Sequence, residues 1–354
     1  MPTFSPEYLF DVAFNIFQAA GVPDDEARIV ATHQVKANLV GHDSHGIILL
    51  PTYLERIKKG FIVPGAPFEI ERETSTTARI NGNWGFGFVV TEKAMQIAIE
   101  KAKKHSLSAI TVLCQSHIGR LGDYPTMAAQ EGLIGLITAD SGAGPKSVAP
   151  FGGRERRLGT NPLSIGIPSN LDGPVLLDMA TCTVAAGKVG VARAREKSLA
   201  PGLIVDKEGN PTVDPNAFYA GGSILPLGGS QGHKGYGLSF MVEVLSGILT
   251  GVGFGSDPQD FKKRHGVEYR HNDGCFINVI DVDAFYPVDE FRQEVTDFVA
   301  YLKTSQPAKG FTNILYPGEI EYLNEQQRRS EGIYIEDSTW ERITAIQKQF
   351  GIKG

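Results

Sequence analysis

Apolar residues in the first sixty positions recur at helical spacing. Leu9, Val12, Ile16 and Phe17 form one stripe between a start at Ser5-Pro6 and a stop at Gly21. Asp24 opens a second helix whose stripe, Ala27, Val30, Ala31 and Val35, ends near Gly41. A third helix is expected from Pro51 to Lys59, stopping at Gly60. From Thr76 the period changes. Short apolar runs at Ala78–Ile80, Ala109–Cys114, Leu133–Thr138, Leu163–Ile167, Val175–Leu177 and Phe276–Val282 read as strands. Helices are expected between them over Thr91–His105 and Gly235–Thr250, and the tail from Phe291 returns to helical spacing. The fold class is therefore α/β, with a sheet unit over residues 76–289 and a mainly helical unit formed by residues 1–75 and 290–354.

Composition narrows the function classes. At 354 residues, with 42% apolar and 21% charged positions, the chain can bury a large core and is neither disordered nor fibrous. A net charge of −6 argues against a phosphate-neutralising surface, so no nucleic-acid partner is expected. Cys114, Cys182 and Cys275 form no CxxC pair, which disfavours a disulfide framework or a thiolate zinc site and fits a reducing, cytoplasmic compartment. No export signal and no membrane span are expected. The richest apolar run, Leu238–Leu249, is short of the roughly 20 residues a span requires and holds Glu243.

Three segments concentrate chemistry. Gly41-His42-Asp43-Ser44-His45-Gly46 places two imidazoles, a carboxylate and a hydroxyl in one glycine-bounded turn. An imidazole titrates near neutrality and can exchange a proton with a substrate oxygen, although Asp43 and Ser44 could equally cap the next helix. Ser116-His117-Ile118-Gly119-Arg120 follows an expected buried strand; its guanidinium suits a carboxylate or phosphate, unless the segment is simply a surface loop. The glycine-rich run Leu227 to Gly237, with His233 and Lys234, leads into a helix and so aims backbone N–H groups at an anion, or else serves close packing. It lacks the Walker pattern, and a GxGxxG fingerprint is missing: Gly85-Phe86-Gly87 has no third glycine in register. Two readings stand open at this point. One is a metal-dependent hydrolase or lyase using His42 and His45; the other is a non-catalytic nucleotide-binding module using the glycine loop.

Seven collinear segments, NLVGHDSHG, SHIGR, VAPFGG, LGTNP, LLDMAT, HKGYGL and YPGE, resemble the malate/L-lactate dehydrogenase family. That family includes ureidoglycolate and diketogulonate-type dehydrogenases and is distinct from the Rossmann malate and lactate dehydrogenases. The resemblance spans nearly the whole chain. It implies a non-Rossmann NAD(P)-binding sheet domain beside a helical domain, a homodimer, NAD or NADP as cofactor, and a small 2-hydroxy or 2-oxo acid as substrate, with no metal. By matching motif, His45 would exchange the proton at the substrate oxygen and His117 would be a second catalytic or orienting imidazole. The cofactor would lie against Ser141, Asn161, Asp178, Met179, Ala180 and Thr181, against His233 and Lys234, and against Pro317, Gly318 and Glu319. One departure stands out: Leu49 occupies a place where many members carry an arginine. Arg120 is expected to supply the missing cation for the substrate carboxylate, a combination similar to the hydroxycarboxylate dehydrogenase subgroup.

Overall fold

A short strand, β1 (Thr3–Phe4), precedes Ser5, whose side chain accepts the Tyr8 N–H at 3.1 Å and starts α1 (Pro6–Ala19). The computed structural model in which this is seen describes residues 2–140, 142, 144–254, 262–263, 266, 268, 270 and 273–352. Helix α2 (Asp24–Leu39) begins with Asp24, Asp25 and Glu26, the charge its amino end favours. Two 3₁₀ turns, Asp43–His45 and Ile47–Leu49, then lead into α3 (Leu50–Lys58).

Strands β2 (Glu69–Glu73) and β3 (Thr77–Gly85), helix α4 (Gly87–His105), β4 (Leu107–Gln115), α5 (Asp123–Gln130), β5 (Leu133–Asp140), β6 (Leu163–Ile167) and β7 (Val175–Met179) follow. Next comes a small lobe holding α6 (Ala186–Ala194), β8 (Ile204–Val205), β9 (Pro211–Thr212), α7 (Pro215–Tyr219) and β10 (Ser223–Ile224). Helix α8 (Gly232–Val242) runs on into a π-helical turn, Glu243–Ile248. Strand β11 (Asp273–Asp281), α9 (Val288–Lys303), α10 (Glu319–Glu331), β12 (Ile333–Tyr334) and α11 (Asp337–Gln349) complete the chain.

The main sheet has the order β2-β3-β4-β11-β5-β6-β7. Only β3 and β4 pair in parallel, joined by the α4 crossover, and every other pair is antiparallel. This α/β arrangement is not the doubly wound parallel sheet of a Rossmann domain. Alternation along the strands turns Ile80, Ile110, Val112, Ile137, Ile277 and Val279 into a core shared with Ala94, Met95 and Ala98 of α4 and Tyr124 of α5. On the opposite face the π turn lies against the sheet, where the Thr138 and Ser246 hydroxyls are 2.7 Å apart.

A second core joins Leu9, Ile16 and Phe17 of α1, Val30 and Ala31 of α2 and Tyr53 of α3 to Ile333, Ile335 and Ile343 near the carboxyl end. Phe86 and Phe88 at the start of α4 also enter it, so one helix touches both cores. Helix α9 is tied elsewhere: the Asn170 N–H donates to Thr296 Oγ1 at 3.0 Å, beyond the end of β6. No helix among the described residues is long and apolar enough to cross a membrane.

The structure moves several expected boundaries. Strand β3 extends past Ile80 through Asn81-Gly82-Asn83-Trp84, a run whose composition suggests a turn. Asn83 and Trp84 adopt positive φ there, at a bulge where the β3–β4 register shifts. The helix expected from Gly235 starts at Gly232. Helix α5 and the small lobe, whose strands are two residues long, lack the periodicity that would announce them.

Candidate active site

Asn38, in the last turn of α2, organises the histidine turn. Its Oδ1 accepts the Ile47 N–H at 2.9 Å and its Nδ2 donates to Asp43 Oδ1 at 2.7 Å. Arg328 of α10 grips both Asp43 oxygens, at 2.6 and 3.1 Å. Asp43 is thus a brace, a bidentate anchor for the turn that carries His45. His42 turns to Glu321, 3.4 Å away, and its ring centroid lies 6.5 Å from that of His45.

The second imidazole comes from the end of β4. Gly87 donates its N–H to Ser116 Oγ at 3.0 Å, and a Cβ at Gly87 would sit 2.2 Å from the Ser116 carbonyl oxygen. Only glycine lets α4 begin against the backbone that presents His117. The Tyr53 hydroxyl of α3 lies 2.8 Å from His117 Nδ1. With the phenol donating, His117 keeps its proton on Nε2.

His45 and His117 meet face to face, with centroids 5.7 Å apart and ring planes inclined by 21°. They line a cavity of about 540 Å³ with Arg120, Asn161 and the end of β7. Burial first, then His42 and Arg120, bring the His45 imidazole down to about 4 against the opposing pull of Asp123. His117 falls to about 3, through burial and then the charges of His45 and Arg56. Both rings are neutral at pH 7. The His45 Nδ1 has Ser44 Oγ at 3.0 Å.

Arg120 is buried and already paired. It donates to Asp123 Oδ1 at 2.7 Å, and its Nε is 3.3 Å from Asp178 Oδ2, which also accepts the Gly122 N–H at 2.9 Å. Asp123 in turn reaches His33 Nδ1 at 3.1 Å, and Glu92 lies 3.1 Å from His33 Nε2. Burial alone would lower the His33 pKa, but hydrogen bonds to Asp123 and Glu92 outweigh it and raise it to about 9. This ion network walls a neighbouring cavity of about 720 Å³.

Asn161 holds a left-handed backbone, φ 42°, and is buried. Its amide donates to Ser239 O at 3.0 Å and Glu243 Oε2 at 2.8 Å, while its Oδ1 has no partner among the described residues. Thr181 Oγ1 secures that segment by donating to the Asn161 carbonyl at 2.9 Å. Lys146 lies 3.1 Å from Asp140 and 3.2 Å from Glu243, so this buried cation is also matched.

Of the residues singled out from sequence, the cavity brings together His45, His117, Arg120, Asn161, Asp178, Met179 and Ala180. Thr181 sits just behind the wall. His233 and Lys234 are exposed in the first turn of α8, where the His233 ring meets the Phe151 ring edge-on. Pro317 accepts the Leu176 N–H at 2.9 Å, Gly318 packs on Pro174, and Glu319 holds Lys303 and the Tyr316 N–H; none of the three lines the cavity. Ser141 lies outside the described residues. Sequence reasoning missed Tyr53, Arg56, Asp123 and Asp273. The first two had a signal, because Leu49, Tyr53 and Arg56 recur at four- and three-residue steps on one helical face.

A family model described as malate/L-lactate dehydrogenase matches residues 4–344. The chain belongs to the malate/L-lactate dehydrogenase family. Among members of that family, the L-sulfolactate dehydrogenase of Methanothermobacter thermautotrophicus is 39% identical over 98% of this chain and 97% of its own. Hydroxycarboxylate dehydrogenase B of Escherichia coli K12 is 31% identical over 99% and 94%. The solved malate dehydrogenase of Entamoeba histolytica superposes with a TM-score of 0.93 at 34% identity, covering 100% of this chain and 99% of that one. The sulfolactate dehydrogenase of Methanocaldococcus jannaschii gives 0.89 at 34%, covering 99% and 98%. This member of the malate/L-lactate dehydrogenase family is an enzyme, an oxidoreductase of the hydroxy acid dehydrogenase type.

Proposed function

We propose that the protein transfers a hydride between NAD or NADP and a small 2-hydroxy acid, with His45 exchanging the hydroxyl proton and His117 orienting the substrate oxygen. The stacked pair of neutral imidazoles in one cavity carries this reading. Neutral His45 can accept the hydroxyl proton as the alcohol is oxidised, and its Nε2 has no partner among the described residues. His117, with Tyr53 on Nδ1, offers an Nε2–H to the same oxygen and fixes its direction. In the reverse direction, an anionic substrate beside His45 opposes the burial and the Arg120 charge that hold its pKa down and raises the basicity of the ring toward a working donor.

The residues present fit a nicotinamide. The orphaned Oδ1 of Asn161 is a buried acceptor on the cavity wall, suited to a carboxamide N–H, beside Asp178, Met179 and Ala180. His233 and Lys234, at an amino-terminal helix turn, suit the phosphates, and Pro317, Gly318 and Glu319 back the β7 edge beyond. When bound, the nicotinamide supplies the hydride chemistry. Relatives named malate, sulfolactate and hydroxycarboxylate dehydrogenases support a short 2-hydroxy acid as substrate. Three buried, unbridged cysteines support a cytoplasmic location, and exposed Phe298 and Tyr301 on α9 support a homodimer.

Purified protein should oxidise NADH or NADPH, followed by nicotinamide absorbance, with at least one of oxaloacetate, pyruvate, 2-oxoglutarate and phenylpyruvate. His45→Asn should keep cofactor affinity and lose at least about a hundredfold in kcat. Near wild-type turnover in that variant, or silence of the wild type with both cofactors, rejects the assignment.

A further inference from the structure

We propose that Arg56, not Arg120, holds the carboxylate of the substrate; the inference rests on the hydroxy acid reading above. Among the described residues the cavity is lined by three cationic side chains of fixed charge, Arg56, Arg120 and Lys188. Arg120 stands between Asp123 and Asp178, so the anion it could hold is already supplied by the protein. A substrate carboxylate there would be a third anion for one guanidinium, at a site where burial already raises the Asp178 pKa against the opposing charge of Arg120. Lys188 is exposed, on the first turn of α6, and its ammonium has no partner among the described residues.

Arg56 is different. It is half-buried, and its side chain has neither a carboxylate within ion-pair distance nor a hydrogen bond among the described residues. A guanidinium withdrawn from water without a counter-ion is costly unless a ligand completes it. Its place on α3 suits that ligand. Tyr53, three residues earlier on the same face, touches His117, and the charge of Arg56 is felt at His117, at Tyr53 and at Asp273 on the cavity wall. A carboxylate at Arg56 therefore leaves the adjoining 2-oxygen within the region swept by the two imidazoles, the geometry a 2-hydroxy acid requires. The planar fork also fits a carboxylate with two parallel hydrogen bonds, fixing which face of the carbon is presented.

The test compares wild type, Arg56→Ala and Arg56→Lys with the best 2-oxo acid, with its uncharged methyl ester, and with oxamate as a non-reacting carboxylate whose binding to the cofactor-loaded protein is followed by calorimetry. Arg56→Ala should lose on the order of a hundredfold in kcat/KM for the acid, mostly through KM, with little change for the ester. Oxamate affinity should fall in parallel, and Arg56→Lys should recover part of both. An unchanged ratio of acid to ester, or unchanged oxamate affinity, in Arg56→Ala overturns the assignment. Wild type that binds oxamate through Arg56 yet turns over no 2-oxo acid overturns the hydroxy acid reading alone, and wild type that does neither overturns both.

Discussion

Replacing His33 with glutamine should change how stability depends on pH. His33 lies between Asp123 and Glu92, and its folded pKa of about 9 stands above the 6.5 of a free imidazole. The folded protein therefore holds a proton that the unfolded chain releases across that window. The stabilisation is complete below about pH 6.5 and is lost as pH rises through about 9. A displacement of this size corresponds to about 3 kcal/mol, at 1.36 kcal/mol per pKa unit. Because the ring is deeply buried, solvent screening removes little of it. Glutamine retains an N–H donor but has no titrating proton. Urea unfolding followed by tryptophan fluorescence, at about pH 6 and about pH 9.5, measures the effect for both proteins. The gap between wild type and variant should close by about 3 kcal/mol over that range. Parallel curves, with a constant gap, would refute a protonated His33 in the folded state and with it the ionic character of the network that anchors Arg120.

The remaining expectations concern the cavity. For oxidation of a 2-hydroxy acid, kcat/KM should stay level as pH falls from neutrality and decline only on approaching about 4, where His45 gains a proton; an inflection near 6.5 contradicts the depressed pKa. Tyr53→Phe frees His117 Nδ1 and should lower kcat about tenfold while leaving cofactor affinity unchanged, and the unpaired ring nitrogen should cost about 1–2 kcal/mol in urea unfolding. Gly87→Ala sets a Cβ 2.2 Å from the Ser116 carbonyl oxygen and 2.5 Å from that of His117. Because backbone atoms cannot step aside, it should destabilise by at least about 2 kcal/mol and lower turnover through a displaced His117; an alanine variant of wild-type stability would mean that the contact relaxes freely.

Where one stretch of chain carries its own signal, the sequence was readable. The α1 and α2 stripes, the strands at Ala109–Cys114 and Leu133–Thr138, and the histidine turn needed only local periodicity or composition. Pairings across long separations were not readable. Nothing in SHIGR announces that Tyr53, 64 residues earlier, seats the His117 ring. Arg120 looked like a free cation because one of its carboxylates, Asp178, becomes a neighbour only when β7 reaches the loop before α5, whereas the other, Asp123, is a local partner three residues on. The bulge at Asn83-Trp84 hides the rest of β3: the apolar run stops at Ile80, and the strand goes on through two positive φ angles. Antiparallel pairing of β5, β6 and β7 also left no mark on apolar runs that would suit a parallel sheet equally well.

The two walls of the cavity belong to different stretches of chain. His45, Tyr53 and Arg56 ride on the histidine turn and α3, within one span of twelve residues, whereas Asn161 sits in the loop before β6 and Asp178 and Met179 end β7. With the proposed assignment of substrate to the first wall and cofactor to the second, diversification can act on the two walls separately, mutations in the short helical span altering which acid is accepted. A chimera that imports residues 42–58 from a relative with another substrate would carry that relative's appetite while keeping this protein's choice of coenzyme.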